Sequence, residues 1–279
     1  MSTNENKGKK AEVTALQAIS AEDRKDWISL AFVQAGICVC VPAFLLGALL
    51  AEAMPIWPAI ISGSLGYLIV VVGMVATGMI GCDLGLASCT CCQAGFGKSG
   101  ARFIVSTIFA VNMIGWFGIQ NGVCGEAFSN AMLAMTGWDI PVVVSNTIWG
   151  IIMLLTAVYG VHALEKLDKI SIPLLMIIMC YGIFLAFKVY GTGNLNDEGT
   201  VQSMSFMSGV ALSFNFTAVG TITGPDYTRF QKSRKDTVKS VFYGVFPMGV
   251  ITLIMGIVLT KLSGQYDICL LYTSDAADE

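Results

Sequence analysis

The sequence predicts an all-α, polytopic membrane protein. Of its 279 residues, 55% are hydrophobic and 13% are charged, and the mean hydropathy is +0.71, well above that of a soluble domain. The charged residues fall in short clusters between long apolar runs. Each run is expected to be a spanning helix, since a backbone in hydrocarbon must satisfy its own hydrogen bonds. The formal net charge of −3 is too small to indicate a nucleic-acid-binding protein.

Seven segments approach the roughly 20 apolar residues that a helix needs to cross about 30 Å of hydrocarbon. The first is too long, and too far behind a polar leader, to be a cleaved signal peptide. Residues 1–26 are therefore expected to form a tail and residues 27–268 the transmembrane domain. The predicted spans are residues 27–50, 56–80, 103–124, 141–161, 170–187, 206–222 and 240–262.

The basic residues predict the orientation, because Lys and Arg are retained on the cytoplasmic side of a membrane. Of the 16 Lys and Arg residues, all but Lys188 and Lys261 precede the first span or follow the second, fourth or sixth. The amino terminus is therefore expected in the cytoplasm, with the spans in the inner (plasma) membrane. This topology excludes the receptor-like seven-helix arrangement, in which the amino terminus is external.

Neither the end of the chain nor its cysteine cluster is expected to be a functional site. The stretch "CLLYTSDAADE" at residues 269–279 looks like a translated sequencing-library adapter, and we expect the native protein to continue beyond the seventh span. The cluster "CTCC" at residues 89–92 lacks the separated pairs of a structural zinc site and has no accompanying His or carboxylate. It is expected to be an interfacial loop.

A stripe of polar and aromatic side chains follows the third span. Asn112, Trp116 and Gln120 are spaced four residues apart, which places them on one face of a helix. Polar groups in hydrocarbon tend to face a bundle interior or a wet cavity. The amide of Gln120 matches the edge of a planar heterocycle, and Trp116 offers a face for stacking. The stripe indicates a nucleobase-like ligand; hydrogen bonding and packing between helices remain the alternative.

Two other spans contain residues that disturb a helix. Pro42 in the first span cannot donate a backbone hydrogen bond, which frees carbonyls around Cys38. Transporters use such carbonyls as cation ligands, although a proline kink without function is an equally open alternative. The sixth span, "SFNFTAVGTITG", is typical of cavity lining. Asp226 and Arg229 beyond it are expected in a solvated loop, with an ion pair or gate as the alternative.

Other sequence features narrow the class of protein. No predicted span carries an ionisable residue near its centre, so sodium held by carbonyls and hydroxyls fits better than a carboxylate proton relay. No Gly-rich phosphate loop, nucleophile elbow or HExxH motif appears, so the chain is not expected to be an enzyme or an ATP-driven pump. Three glycines of the third span are expected to form a helix-packing surface: Gly115, Gly118 and Gly122.

Five stretches together resemble the nucleobase:cation symporter family of cytosine, purine, hydantoin and allantoin permeases. They are "AFVQAGICVCVPAFLLG", "GFGKSGAR", "GWFGIQ", "ALEKLDKISIPLL" and "GPDYTRFQK". Their order and spacing carry the resemblance, which covers about residues 27–262. It implies a leucine-transporter-type fold, with two inverted five-helix repeats and broken first and sixth helices. About seven of the usual twelve helices would be present, namely the first repeat and part of the second.

The resemblance also implies roles for individual residues. Trp116 corresponds to the family's stacking Trp, and Phe216 approximates a second aromatic from the sixth helix. Gln120 matches the amide of hydantoin and allantoin type members, whereas cytosine permeases often have a small residue there. The two rings would sandwich the substrate.

The ion site implied by the resemblance lies in the first helix. The main-chain carbonyls of Gly36 and Val39 would bind sodium, together with hydroxyls from an eighth helix that this sequence lacks, and Cys40 would face the substrate.

The function expected from these observations is secondary-active import of a nucleobase, with cytosine as the expected substrate, coupled to Na⁺ or H⁺ and without another cofactor. Purines, hydantoins, allantoin or hydroxymethylpyrimidine are alternative substrates within the family. A passive channel or a membrane sensor are the alternatives from other classes. The expected partners are the small-molecule substrate and the lipid bilayer.

Overall fold

The computed structural model describes residues 16–158, 161–192, 195 and 204–264, and this part of the chain is helical. A short 3-10 turn at Ala21–Asp23 precedes the first helix, and a π-helical turn at Ala101–Val105 joins α5 to α6. The predicted tail at residues 269–279 lies outside the described residues. The helices are α1 Trp27–Cys38, α2 Val41–Ala53, α3 Ile56–Leu84, α4 Ser88–Cys91, α5 Gln93–Gly100, α6 Ser106–Thr136, α7 Val142–Val158, α8 Val161–Tyr190, α9 Phe206–Thr217, α10 Val219–Thr228 and α11 Arg234–Ser263.

Each of the seven predicted apolar segments is mainly helical where it is described, with a break at residues 39–40 of the first. Five helical stretches are long and apolar enough to cross a membrane, and the bent pair α1 and α2 makes a sixth when taken together. The fourth predicted segment forms α7, which has 17 residues and is shorter than these candidate membrane spans. The third segment was predicted to end at residue 124, but α6 continues to Thr136. It ends before Gly137, which has the positive φ of a helix C-cap.

The first span is broken, as the resemblance implied. Helix α1 ends at Cys38 and α2 begins at Val41, with a bend of 53° between them. Cys40 has an extended backbone, with φ −143° and ψ 154°. Pro42 lies in the first turn of α2, where no N–H is needed for a helical bond. The proline therefore begins a second helix and does not merely kink the first.

The sixth span departs from the expected break. Helices α9 and α10 are separated by Ala218 alone, and this residue has right-handed helical angles, with φ −55° and ψ −30°. Gly224 does not unwind the helix but allows it to approach α3, since an added Cβ would lie 2.6 Å from the Thr77 hydroxyl oxygen. Gly224 thus serves close packing, and the predicted interruption is reduced to Ala218 alone.

Two predicted loops are helical. Helix α10 continues to Thr228, so Asp226 is not in a solvated loop: its carboxylate accepts hydrogen bonds from the Ser88 N–H at 3.1 Å and the Ser88 hydroxyl at 2.6 Å. The first three residues of the "CTCC" segment lie in α4 and Cys92 is its C-cap, so this segment is likewise not a loop. Burial raises the pKa of the Cys89 and Cys91 thiols, which disfavours the thiolate form that binds metals.

The core lies around α3 and α11. Helix α3 packs against α9, α10 and α11, and α11 also packs against α1 and α2. Buried side chains at the centre include Tyr67 of α3 and Leu253 of α11. At Gly256, an added Cβ would overlap the carbonyl oxygen of Phe44 in α2, so this position requires glycine.

Helices α6 and α7 pack chiefly against each other. The Asn121 amide donates to the Asn146 carbonyl across this pair at 3.1 Å. The predicted packing role of three glycines in α6 is wrong within the described residues, because an added Cβ would meet no atom within 4 Å at any of them: Gly115, Gly118 and Gly122.

The segment before α1 is attached to the loop between α10 and α11. The Lys25 N–H donates to the Phe230 carbonyl at 2.7 Å, and the Arg24 guanidinium donates to the Gln231 carbonyl at 2.9 Å. Asp26 forms an exposed ion pair with Lys232 at 2.7 Å. The last part of the predicted tail is thus docked on the helical bundle.

A candidate ligand-binding cavity

A cavity of about 350 Å³ lies next to the break between α1 and α2. Its walls come from both sides of the break and from α3, α6, α7, α9, α10 and α11. The volume falls in the range of roughly 300–1,000 Å³ that is usual for small-molecule sites. No Asp, Glu, Lys, Arg or His lines it in the described part of the chain. The cavity is therefore suited to a neutral ligand, because a charged group transferred there would find no counter-charge.

The structure brings together most of the residues that the sequence predicted for ligand binding. Trp116, Gln120, Phe216 and Cys40 all line the cavity, although they come from three separate segments of the chain. Asn112 does not: its side chain is exposed and it lies outside the lining. Of the predicted stripe on α6, the cavity uses only the two C-terminal members.

The two predicted stacking rings contact each other directly. The centroids of Trp116 and Phe216 are 5.3 Å apart and the ring planes meet at 85°, an edge-to-face arrangement. A planar ligand between two parallel rings needs a centroid separation of roughly 7 Å, two van der Waals distances. One of the rings must therefore turn or move before a heterocycle can lie between them, and the sandwich stays a prediction.

Cys40 and Gln120 approach each other across the cavity. The extended backbone at the break presents Cys40 half-buried in the wall, and its thiol interacts with the Gln120 side chain. The Gln120 amide has two donors and two acceptor lone pairs, so it keeps hydrogen-bonding capacity for a ligand. The broken helix and the polar residue of α6 thus meet at one place.

The break also exposes backbone carbonyls. The last helical bond of α1 runs from the Val39 N–H to the Ala35 carbonyl at 3.1 Å. Among the described residues, no backbone N–H donates to the carbonyls of Gly36 or Val39. Gly36 lines the cavity, whereas Val39 is buried beside it against Ile172 of α8. Oxygen atoms without helical partners are the groups that hard cations prefer.

Sequence reasoning missed several cavity residues. Tyr227 was placed in a loop, and the extension of α10 instead brings it to the cavity wall. Tyr67 also lines the cavity. Its only sequence signal was that it is a single aromatic residue in an otherwise aliphatic stretch of α3. Gln34 also lies in the wall, and a carboxamide in a span was a signal of the same kind as Gln120.

Comparison with known proteins agrees with this architecture. The chain is 26% identical over 249 residues to the cytosine permease of Escherichia coli (strain K12), a match that covers 88% of this chain and 57% of that permease. It is 25% identical over 247 residues to the purine-uracil permease NCS1 of Arabidopsis thaliana, covering 79% of this chain and 41% of the relative. The chain thus spans about half the length of these curated relatives, which are permeases and not enzymes.

A solved structure has the same fold. Mhp1, a nucleobase-cation-symport-1 family transporter in a closed conformation with bromovinylhydantoin bound, superposes with a TM-score of 0.83 at 17% identity. The match covers 94% of this chain and 60% of Mhp1. The fold is therefore of the leucine-transporter type, in the part that this chain contains.

A family model supplies the last evidence. The model for permeases of cytosine and purines, uracil, thiamine and allantoin matches residues 19–274, nearly the whole chain. With its apolar helices, its broken first span and the uncharged cavity beside the break, the chain belongs to this family of multi-pass membrane transporters, the nucleobase:cation symporters.

Proposed function

We propose that this protein takes part in secondary-active import of a nucleobase, with cytosine as the expected substrate, in symport with a cation. The observation that carries the proposal is an uncharged cavity where an indole and a carboxamide of α6 meet the break between α1 and α2. Trp116 supplies a face for a planar ring and Gln120 supplies a donor and an acceptor for its edge. A neutral heterocycle matches both groups.

Sodium is the proposed coupling ion, with a proton as the alternative. The carbonyls of Gly36 and Val39 lack helical donors among the described residues, and the cavity lining there has no carboxylate or imidazole that would carry a proton. A neutral substrate and a cation held by carbonyls would then bind side by side at the break. If sodium is the ion, cytosine binding to the purified chain is stronger in NaCl than in choline chloride at one pH.

Cytosine is the proposed substrate because the cytosine permease of Escherichia coli shares 26% identity with this chain. Gln120 favours a second candidate, since the resemblance places an amide there in hydantoin and allantoin carriers. Competition of radiolabelled cytosine by unlabelled uracil, hypoxanthine, hydantoin and allantoin ranks these candidates. A ligand that displaces cytosine at far lower concentration than cytosine itself would replace it as the substrate.

The stacking role is tested by Trp116→Ala. Stacking of a base on an aromatic side chain contributes about 1–3 kcal/mol, so we expect affinity for cytosine to fall roughly 5- to 150-fold. Equilibrium binding of radiolabelled cytosine to the purified chain in nanodiscs measures this. Trp57→Ala is the matched control, because Trp57 is 69% exposed at the start of α3 and far from the lining. Equal affinities of the wild type and Trp116→Ala would refute the stacking role.

Transport itself separates the proposal from a channel or a sensor. A carrier shows counterflow, in which unlabelled cytosine inside proteoliposomes accelerates the entry of labelled cytosine. A channel gives flux without saturation, and a sensor binds cytosine without moving it. Either outcome would overturn the proposed transport while leaving the binding site intact.

A further inference from the structure

Gln34 is an unexplained polar residue in the cavity wall. It lies in α1, two residues before Gly36, and its side chain is fully buried. Neither Nε2 nor Oε1 of its amide has a hydrogen-bond partner in the described part of the chain. The residue nevertheless contributes to the cavity lining together with Gly36 and Cys40 of the same span.

An unpaired carboxamide in a protein interior is costly. It has two donors and two acceptor lone pairs, all of which lose water on burial. An apolar side chain of similar size would avoid this cost and would pack equally well against the neighbouring helices. Gln34 therefore indicates a polar partner that the described residues do not supply.

The cavity is the place from which such a partner can come. Gln34 has three rotatable side-chain bonds, so a change of rotamer can move its amide by several ångströms without moving the backbone. Its mixed donor and acceptor character fits an amide-like or amidine-like edge, in which an N–H or amino group stands beside a carbonyl or ring nitrogen. Neutral planar heterocycles of the nucleobase type carry such edges.

We propose that Gln34 is a second carboxamide that reads the polar edge of the bound heterocycle, in addition to Gln120. This inference rests on the proposed function. The two glutamines come from helices with different neighbours, since α1 packs against α11 and α8 whereas α6 packs chiefly against α7. A ligand held by both amides would connect these two groups of helices.

The chain contains a matched control for this proposal. Gln231, in the loop between α10 and α11, is also fully buried, and the Nε2 and Oε1 atoms of its side chain also lack partners among the described residues. It does not line the cavity. Any effect that comes only from removing a buried, unpaired amide should therefore appear equally in Gln34→Leu and Gln231→Leu.

The experiment measures thermal unfolding and equilibrium binding of radiolabelled cytosine for the wild-type chain and both variants. We expect both substitutions to leave the unfolding temperature unchanged or raised, because each removes an unpaired polar group. Only Gln34→Leu should weaken cytosine binding, by about tenfold or more, the loss expected for a donor and acceptor pair. Gln34→Met, which keeps the length and flexibility of the side chain, should show the same loss.

Three results would overturn the inference or its basis. If Gln34→Leu and Gln34→Met bind cytosine as tightly as the wild type, Gln34 does not read the ligand and the proposed function stands. If Gln231→Leu weakens binding as much as Gln34→Leu, the effect is structural and the inference fails. If the wild-type chain binds neither cytosine nor uracil, hypoxanthine, hydantoin or allantoin, the proposed function fails with it.

Discussion

At the scale of single residues, one hydroxyl compensates for a proline in the membrane. Pro225 has no N–H, so the carbonyl of Thr221 one turn earlier in α10 has no helical donor. The Thr77 hydroxyl of α3 donates to this carbonyl at 2.7 Å. The contact attaches α10 to α3 at the point where the proline would otherwise leave an unpaired acceptor.

We expect Thr77→Val to lower the free energy of unfolding by about 1–3 kcal/mol, because it leaves the Thr221 carbonyl without a partner. Chemical unfolding in detergent measures the difference. Thr107→Val is the control, since Thr107 is exposed and its hydroxyl donates only to the Phe103 carbonyl one turn earlier. Equal stability of the two variants would show that the inter-helical bond contributes nothing.

The residue scale also shows what spacing can and cannot predict. Trp116 and Gln120 were identified because four-residue spacing on a helix fixes a shared face, and both do line the cavity. The same spacing included Asn112, which is exposed, because periodicity does not say where along a helix a cavity ends. Gln34 offered the same local signal as Gln120, a carboxamide in a span, whereas Tyr227 reaches the cavity only through the extension of α10, which no local pattern predicts.

At the scale of helices, close approach of α2 and α11 depends on the absence of a side chain. Gly256 faces the Phe44 carbonyl and backbone carbons, which cannot shift without moving α2. We expect Gly256→Ala to destabilise the protein by about 1–3 kcal/mol through overpacking. The change is measured as a lower unfolding temperature in detergent.

A second glycine provides the comparison for this prediction. Gly118 in α6 has no atom within 4 Å of an added Cβ. Gly118→Ala should therefore be neutral or stabilising by up to about 1 kcal/mol, because Ala favours a helix. If both variants unfold at the same temperature, contact at Gly256 does not control the packing of α2 on α11.

The bond between Asp226 and Ser88 links α10 to α4. The carboxylate accepts from both the N–H and the hydroxyl of Ser88, which is 3% exposed. We expect a double-mutant cycle with Asp226→Ala and Ser88→Ala to give a coupling energy of about 1–2 kcal/mol. Additive effects of the two substitutions would show that this side-chain contact does not stabilise the attachment of α10 to α4.

At the scale of the whole molecule, the two ends of the helices carry different charge. The segment before α1 contacts the loop between α10 and α11, so the basic residues of both lie at one end, while the loop between α6 and α7 lies at the other end of α6. Alkaline phosphatase fused after Asp139 should be active outside the cytoplasm, and phosphatase fused after Lys232 should be inactive. The reverse pattern would place the amino terminus outside.

Most of the fold could be predicted from the sequence because the membrane imposes a length and a composition on every span. All seven segments are mainly helical where described, and Pro42 correctly indicated the break in the first span. The sixth span was predicted less well, because Gly224 serves either unwinding or close packing, and only the neighbouring Thr77 decides between them. Loops were predicted too long, since α4 and α10 are stabilised by a contact that is distant in sequence.

The attachment of the segment before α1 determines which parts of the first span are free to move. Lys25 and Asp26 hold the entrance of α1 to the α10–α11 loop, whereas the far end of α1 joins α2 through the extended residues Val39 and Cys40. A helix that is held at one end and joined to the next helix by non-helical residues at the other can rotate about that joint only when the contacts at the held end break. Any rotation of α1 away from the α10–α11 loop about Val39 and Cys40 therefore requires the contacts of Lys25 and Asp26 to break.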